Sequence, residues 1–486
     1  MTSIVETAIR STVTKGVMAL ASFNRKRMAK PDRPNPYLSG LNAPVDRELT
    51  LTDLTVSGNI PPELNGRYLR IGPNPMGKVH GASHHWFIGD GMVHGVSLKD
   101  GQAQWYRNRW IRSTAVSKAL GEAPKPGPRH FSDTVNTNVL GHAGQIWALV
   151  EAGGFPVRLD EELNTIAHDP FGGSLKGSFS AHPHRDVATG DMHAVCYEAT
   201  DPNFLRHVVV GADGKVKREE PIAVRHGPSV HDCMITRDHV IVLDLPVTFS
   251  MAKMVAGFGF PYQWNPEHRA RVGVLKKTAP GGEIVWCEVE PCYVFHPCNG
   301  FETPDGKITL DVVAHRSMFD DRTAGPSAVT SAFERWTIDP TAKRVLREVI
   351  DASPQEFPRP NERLLGQPYR YAYTAELQRD ANDDFVPGSG LIRHDLHSRT
   401  KQRHDFGAER FVGEFVFVPK SAGHAQGTAP DQDDQGWLMG FVGHRTENTT
   451  DLVLLDAANF SGPPQAVVTI PERIPTGFHG NWVPAN

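Results

Sequence analysis

Beyond residue 50 the chain is cut into short apolar or alternating runs, "GRYLRIG", "IWALVEAG", "HVVVGADG", "HVIVLDLP", "KITLDVVAHR", "LVLLDAANF" and "QAVVTIP", with the turn formers Asp100-Gly101, Asp213-Gly214 and Asp305-Gly306 between runs. Runs of that length read as strands, and Asp-Gly is a pair that closes tight hairpins. Sustained helical periodicity is scarce, so the expected class is all-β. Strands in such number, with no clear linker, point to a barrel, a pair of sandwiches or a propeller. The roughly forty-residue repeat signatures of familiar propellers are absent, so a propeller here must be irregular in sequence.

Composition narrows the partners. A formal charge of -4 and a pI near 6.6 supply no basic field for nucleic acid. Five cysteines (Cys196, Cys233, Cys287, Cys292, Cys298) form no CxxC pair, which speaks against a disulfide framework and for a reducing, cytoplasmic compartment. No apolar run approaches the roughly 18 residues of a spanning helix. Residues 4–30, "IVETAIRSTVTKGVMALASFNRKRMAK", are apolar at helical spacing and end on Arg25, Lys26, Arg27 and Lys30. A targeting peptide, a membrane-surface helix and a helix packed on the domain all fit that pattern. The expected organisation is an amphipathic extension over residues 1–35 and one domain over 36–486.

Residues 246–264, "PVTFSMAKMVAGFGFPYQW", are more apolar than a solvated connection should be. Phe249, Met251, Met254, Val255, Phe258 and Phe260 crowd it. Either the segment is a short buried helix, or it is a greasy rim where an apolar ligand or a membrane is met.

Of 23 histidines, four stand beside apolar runs: His182 in "SFSAHPHRD", His231 in "PSVHDCMIT", His296 in "CYVFHPCNGFE" and His479 in the closing "GFHGNW". Their separations of 49, 65 and 183 residues exclude a local zinc-finger-like cluster. Convergence demands a closed ring, which a propeller provides around its axis. A metal-bound imidazole commonly donates its other N–H to a carboxylate, and Glu151, Glu356 and Glu414 lie in hydrophobic settings where an unpaired carboxylate is costly. Glu302, six residues after His296, shares its face if the strand runs straight. By residues alone a four-histidine centre stands beside surface or core-capping roles for the same side chains.

The ordered blocks "LNGRYLRIGPNP", "HHWFIGDGMVHGV", "NTNVLGHAGQIWALVEAG", "SAHPHRD", "VHDCMIT", "FHPCNGFE", "EFPRPNERLLGQPYRYAY" and "GFHGNW" resemble the carotenoid cleavage oxygenases, a family that includes apocarotenoid oxygenases, stilbene-cleaving dioxygenases and the retinoid isomerohydrolase. The resemblance implies an all-β, seven-bladed propeller under a cap of helices and loops. It implies Fe(II) held by His182, His231, His296 and His479, with Glu151, Glu356 and Glu414 behind the last three. Thr137 matches a threonine whose methyl crowds an open coordination position. Molecular oxygen is then the cosubstrate, and an alkene is split into two carbonyl products. The tail must be ordered, because it carries the last ligand.

Two departures matter. The family's "AHPK" reads "AHPH" here, placing His184 where a lysine is usual; the alignment keeps His182 as ligand. Stilbene-cleaving members carry a lysine before the glutamate matching Glu151, where it meets a phenolic hydroxyl, whereas this chain has Val150. Phe87 does match an aromatic found near the stilbene site. With Phe258 these residues are the expected substrate contacts, and an apolar carotenoid or apocarotenoid is the expected substrate, drawn from a membrane surface. The competing readings are a stilbene-cleaving dioxygenase, a binding-only propeller and a zinc hydrolase on the same histidines.

Overall fold

The Asp-Gly pairs close hairpins as the sequence predicts. Asp100 and Gly101 take positive φ values of 51° and 75° between strands Gly91–Lys99 and Gln102–Trp110. Gly214 and Gly306 turn the chain likewise between Phe204–Val210 and Val216–Ala223, and between Tyr293–Glu302 and Ile308–His315. The computed structural model describes residues 4–130, 132–320, 325–326, 331–378, 384–420 and 433–485, with side chains from residue 16 onward.

Repeated hairpins build antiparallel sheets of four to six strands, a two-stranded ribbon of Val247–Phe249 with Tyr262–Trp264, and an eight-stranded sheet in which two four-stranded meanders meet through one parallel pair, Glu288 opposite Arg344. The architecture is all-β and propeller-like. Both chain ends close the ring. Strand Gly480–Pro484 pairs with Gly66–Pro73, setting Trp482 opposite Tyr68, and Thr55–Gly58 pairs with Ala466–Ile470. The C-terminal segment reaches the centre because glycines let backbones touch: a Cβ on Gly72 would lie 2.6 Å from the Gly477 Cα. The buried Arg70 guanidinium donates to the Pro475 carbonyl at 2.6 Å and holds that approach in place.

Apolar residues of adjacent sheets interdigitate. Tyr68 is fully buried and meets Phe441 edge-on, ring centroids 4.9 Å apart, a geometry favoured by the ring quadrupoles. The five cysteines are all buried and free.

Three α-helices stand apart from the sheets among the described residues: Ile4–Arg27 (α1), Thr114–Ala119 (α2) and Met251–Ala256 (α3). Helix α3 starts on a Ser250 side-chain cap and ends at Gly257, whose φ of 98° suits glycine alone. Helix α1 packs across that end. Asn24 Nδ2 donates to Val255 O at 2.8 Å and Arg25 Nε to Gly257 O at 3.0 Å, and a Cβ on Gly257 would sit 2.7 Å from Arg25 N. No helix is long and apolar enough to cross a membrane among the described residues.

Neither reading of 246–264 holds whole: helix α3 has no buried residue, yet most of the segment's apolar side chains are half-buried. Of its six apolar side chains only Met251 is well exposed, at 54%. Phe249 and Phe260 turn inward against the core, Phe260 stacking on His85 at 4.3 Å. Nearby, helix α1 turns Met18, Leu20 and Phe23 outward. An aromatic between two short strands gains more from filling the core than from facing solvent.

Candidate metal centre

Edge strands deliver the candidate residues. Thr137 precedes Asn138–His142, His182 precedes His184–Arg185, and His231 precedes Cys233–Ile235. His296 lies in Tyr293–Glu302, Glu356 in Gln355–Arg359, Glu414 just before Val416–Pro419, and His479 just before Gly480–Pro484. Each of these strands ends its own sheet or meander. Residues far apart in sequence therefore meet wherever the strand ends meet.

All four histidines are buried, and one nitrogen from each lies within 4.8 Å of the others. His231 Nδ1 donates to Glu151 Oε1 at 2.8 Å, His296 Nδ1 to Glu356 Oε2 at 2.7 Å, and His479 Nδ1 to Glu414 Oε1 at 3.0 Å. A carboxylate only accepts, so each Nδ1 carries the hydrogen and, in a neutral ring, each Nε2 presents a lone pair. The Nε2 atoms of His231 and His296 face each other at 3.3 Å, and His182 Nε2 is buried with no partner. Lone pairs converging in a dry pocket repel unless a cation lies between them. The donor set fits a metal ion.

The electrostatics favour neutral imidazoles at His182 and His479 and ionised carboxylates at Glu356 and Glu414. Burial and the three neighbouring imidazoles hold His182 well below the usual histidine range. Burial also lowers His479, against the pull of Glu414, while at His296 burial is outweighed by Glu356 and the net direction is up. Burial alone would raise Glu414, but Arg359 and His479 bring it down to about 2. Glu356 is held well below the carboxylate range in the same way, by His296 and His315.

His231, His296 and His479 line a cavity of about 500 Å³. Phe87, Val150, Phe258, Phe295 and Phe357 line it with Thr137, and it runs out to Met18, Ser22 and Met254 on the α1 and α3 helices. Phe87 lies nearly parallel to the His231 ring, centroids 6.3 Å apart. Thr137 Oγ1 is tied to Asn136 Oδ1 at 2.9 Å.

His184 is not in this set: its Nε2 bonds Asp232 Oδ1 at 2.8 Å. Glu302 is elsewhere too. The strand Tyr293–Glu302 shifts register twice after Val294, so face parity is lost, and Glu302 accepts from His239 Nδ1 at 3.1 Å instead. Sequence reading missed Asp232, His315 and Arg359. His315 shares Glu356 at 2.9 Å, and Arg359 reaches Glu414 Oε1 at 3.3 Å. Only Asp232 offered a signal, as the residue after His231.

A propeller-like β-protein with four converging imidazoles, three of them braced by carboxylates at the end of an apolar cavity, is a metalloenzyme scaffold for an apolar substrate. The family model described as retinal pigment epithelial membrane protein matches residues 42–484, and the chain belongs to that family, the carotenoid cleavage oxygenases. It is 40% identical to a carotenoid cleavage oxygenase of Mycobacterium tuberculosis over 93% of this chain and 98% of that one. The cobalt-substituted apocarotenoid oxygenase of Synechocystis superposes with a TM-score of 0.78 at 26% identity, covering 91% of this chain and 97% of that one. A lignostilbene dioxygenase of Pseudomonas brassicacearum reaches 0.82 at 24% identity, over 94% and 100%, a likeness of fold.

Proposed function

We propose that this chain is a non-haem Fe(II) dioxygenase that cleaves a carbon–carbon double bond of a carotenoid or apocarotenoid with O2, giving two aldehydes. The observation that carries the reading is the convergence of His182, His231, His296 and His479 at the end of an apolar cavity. Iron held there by neutral imidazoles would keep its positive charge and supply the redox chemistry.

The side chains do the rest. Glu151, Glu356 and Glu414 fix three imidazoles in the tautomer that presents Nε2. Thr137, with its hydroxyl spent on Asn136, offers its methyl to the cavity and narrows the space beside the ligands. Phe87, Phe258 and Val150 give the polyene an apolar wall and keep water away. Val150 offers no donor to a phenol, which favours a polyene over a stilbene; Phe87 is the feature that keeps the stilbene reading as runner-up. In this reading the edge residues belong to seven blades, one from each, and the helices with their loops form a cap.

Aerobic incubation with β-carotene, apocarotenals and a resveratrol-like stilbene tests it. The expected result is cleavage of a carotenoid substrate, with one atom from labelled O2 in each aldehyde and no turnover without oxygen. Cleavage of the stilbene alone overturns the substrate assignment.

A cytoplasmic enzyme must draw such a substrate from lipid, and we place it peripherally on membranes through α1 and the neighbouring end of α3. Interfacial helices bind through buried apolar area and the attraction of basic residues to anionic lipid. Co-sedimentation with anionic liposomes should fall when residues 1–30 are removed, and further with Met254→Asp and Phe258→Asp, with metal content unchanged. Parent-like liposome binding and turnover in these variants would remove the helices from substrate supply.

A further inference from the structure

Three of the four imidazoles have a glutamate on Nδ1, and His182 has none. The only carboxylate within 4.0 Å of it among the described residues is Asp232, whose Oδ2 lies 3.6 Å from His182 Nδ1. Asp232 is almost wholly buried and follows the neighbouring candidate ligand His231 directly in the chain. Its other oxygen, Oδ1, accepts from His184 Nε2 at 2.8 Å and from the Cys233 backbone N–H at 2.6 Å. One oxygen is thus anchored and the other left for His182. The His182 Nε2 atom, at the far side of the ring, is among the buried atoms with no partner.

We propose that Asp232 is the fourth carboxylate of the centre, a positioning residue that acts through His182 and is itself held by His184. At 3.6 Å the pair is just outside hydrogen-bond range, so the contact tightens only if the ring swings slightly toward Asp232. An Nδ1–H pointing at Oδ2 leaves Nε2 as acceptor, which is the tautomer the other three rings already hold. Asp232 thereby joins the segments that carry His182 and His231. His184 explains itself in the same way: at a position where a lysine would place a cation beside Asp232, an imidazole N–H does the anchoring. His184, Asp232 and Cys233 also lie close enough to hold a metal of their own. Burial and the adjacent Asp232 push the Cys233 thiol well above its usual range, however, which disfavours the thiolate.

The inference rests on the metal-centre reading, and the probe is Co(II). Metal-free, full-length protein is titrated by calorimetry while the visible Co(II) absorption is followed, and the thermal midpoint of the metal-free protein is measured alongside. Asp232→Asn should weaken Co(II) about 10- to 100-fold, the usual effect of losing such a carboxylate partner, and shift the absorption bands, with the metal-free midpoint unchanged. His184→Ala should keep one Co(II) per chain at an affinity lowered, but by less than in Asp232→Asn, and His184→Lys should restore it. Parent-like affinity and spectrum in Asp232→Asn overturn the proposal, as does a lowered metal-free midpoint with unchanged affinity. If Asp232→Asn does not fold, the His184 pair decides: equal affinities in the Ala and Lys variants overturn it. A parent that binds no Co(II) overturns the metal centre itself.

Discussion

Replacing His182, His231, His296 or His479 with alanine abolishes metal retention through purification and with it aldehyde formation. A structural four-ligand zinc site contributes about 10–16 kcal/mol of binding free energy, and on that scale one ligand in four is worth about 3 kcal/mol, or roughly a hundredfold in affinity. The four variants should separate in the metal-free protein, because their partners differ. His231→Ala leaves Glu151 with no hydrogen-bond donor among the described residues, since Oε1 has only His231 and Oε2 has none. Glu356 keeps His315 and the Phe357 N–H, and Glu414 keeps the Gly480 N–H and Arg359. His182→Ala strands no glutamate. An unsatisfied buried acceptor costs about 1–3 kcal/mol, so His231→Ala should lower the metal-free thermal midpoint most and His182→Ala least. Elemental analysis, product chromatography and scanning calorimetry check the set. A variant at any of the four positions that keeps one iron per chain and full turnover removes that residue from the ligand set. His184→Ala should retain its metal, and its loss alongside retention in His182→Ala would shift the ligand assignment by one pleat.

The strands were legible because hairpin closure is local: Asp100-Gly101 announces its turn whatever the rest of the chain does. The meeting of the four histidines was not legible from spacing. It depends on ring closure between Tyr68 and Trp482, at opposite ends of the sequence, and only the ordered blocks pointed to it. Glu302 shows how a sound local rule fails. Even spacing from His296 means a shared face on a straight strand, and the register shifts after Val294 remove the straightness. The 246–264 segment shows the other failure. Its apolar count demanded cover, but the cover over its Gly257 end is α1, more than 200 positions earlier, and nothing in the segment names that partner. His315 and Arg359 were invisible for a third reason. A buried polar residue advertises itself only through its partners, and those are set by tertiary contact.

Glutamine at the three glutamate positions keeps shape and removes charge, and its effect should differ from site to site by hydrogen-bond count. A glutamine has one accepting end and one donating end. At Glu414 both oxygens face donors: Oε1 receives His479 Nδ1 and Arg359, while Oε2 receives the Gly480 backbone N–H at 2.8 Å. Either orientation of the amide sets an N–H against an N–H that cannot move. At Glu356 one oxygen serves His296 and the Phe357 N–H, and the other serves His315 Nε2. Because His315 Nδ1 has no partner, that ring can shift its proton to Nδ1 and accept from the new amide. At Glu151 the second oxygen has no donor to lose. Loss of such a carboxylate typically costs about 10- to 100-fold in metal affinity or activity. Glu414→Gln should therefore lie at the severe end of that range, Glu356→Gln in the middle and Glu151→Gln at the mild end, read as iron affinity and as kcat for the carotenoid. The reverse order would mean that charge, rather than the pattern of donors, is what these residues supply to the histidines. Undiminished affinity and turnover in all three would take the glutamates out of the centre altogether, leaving their bonds to His231, His296 and His479 as packing.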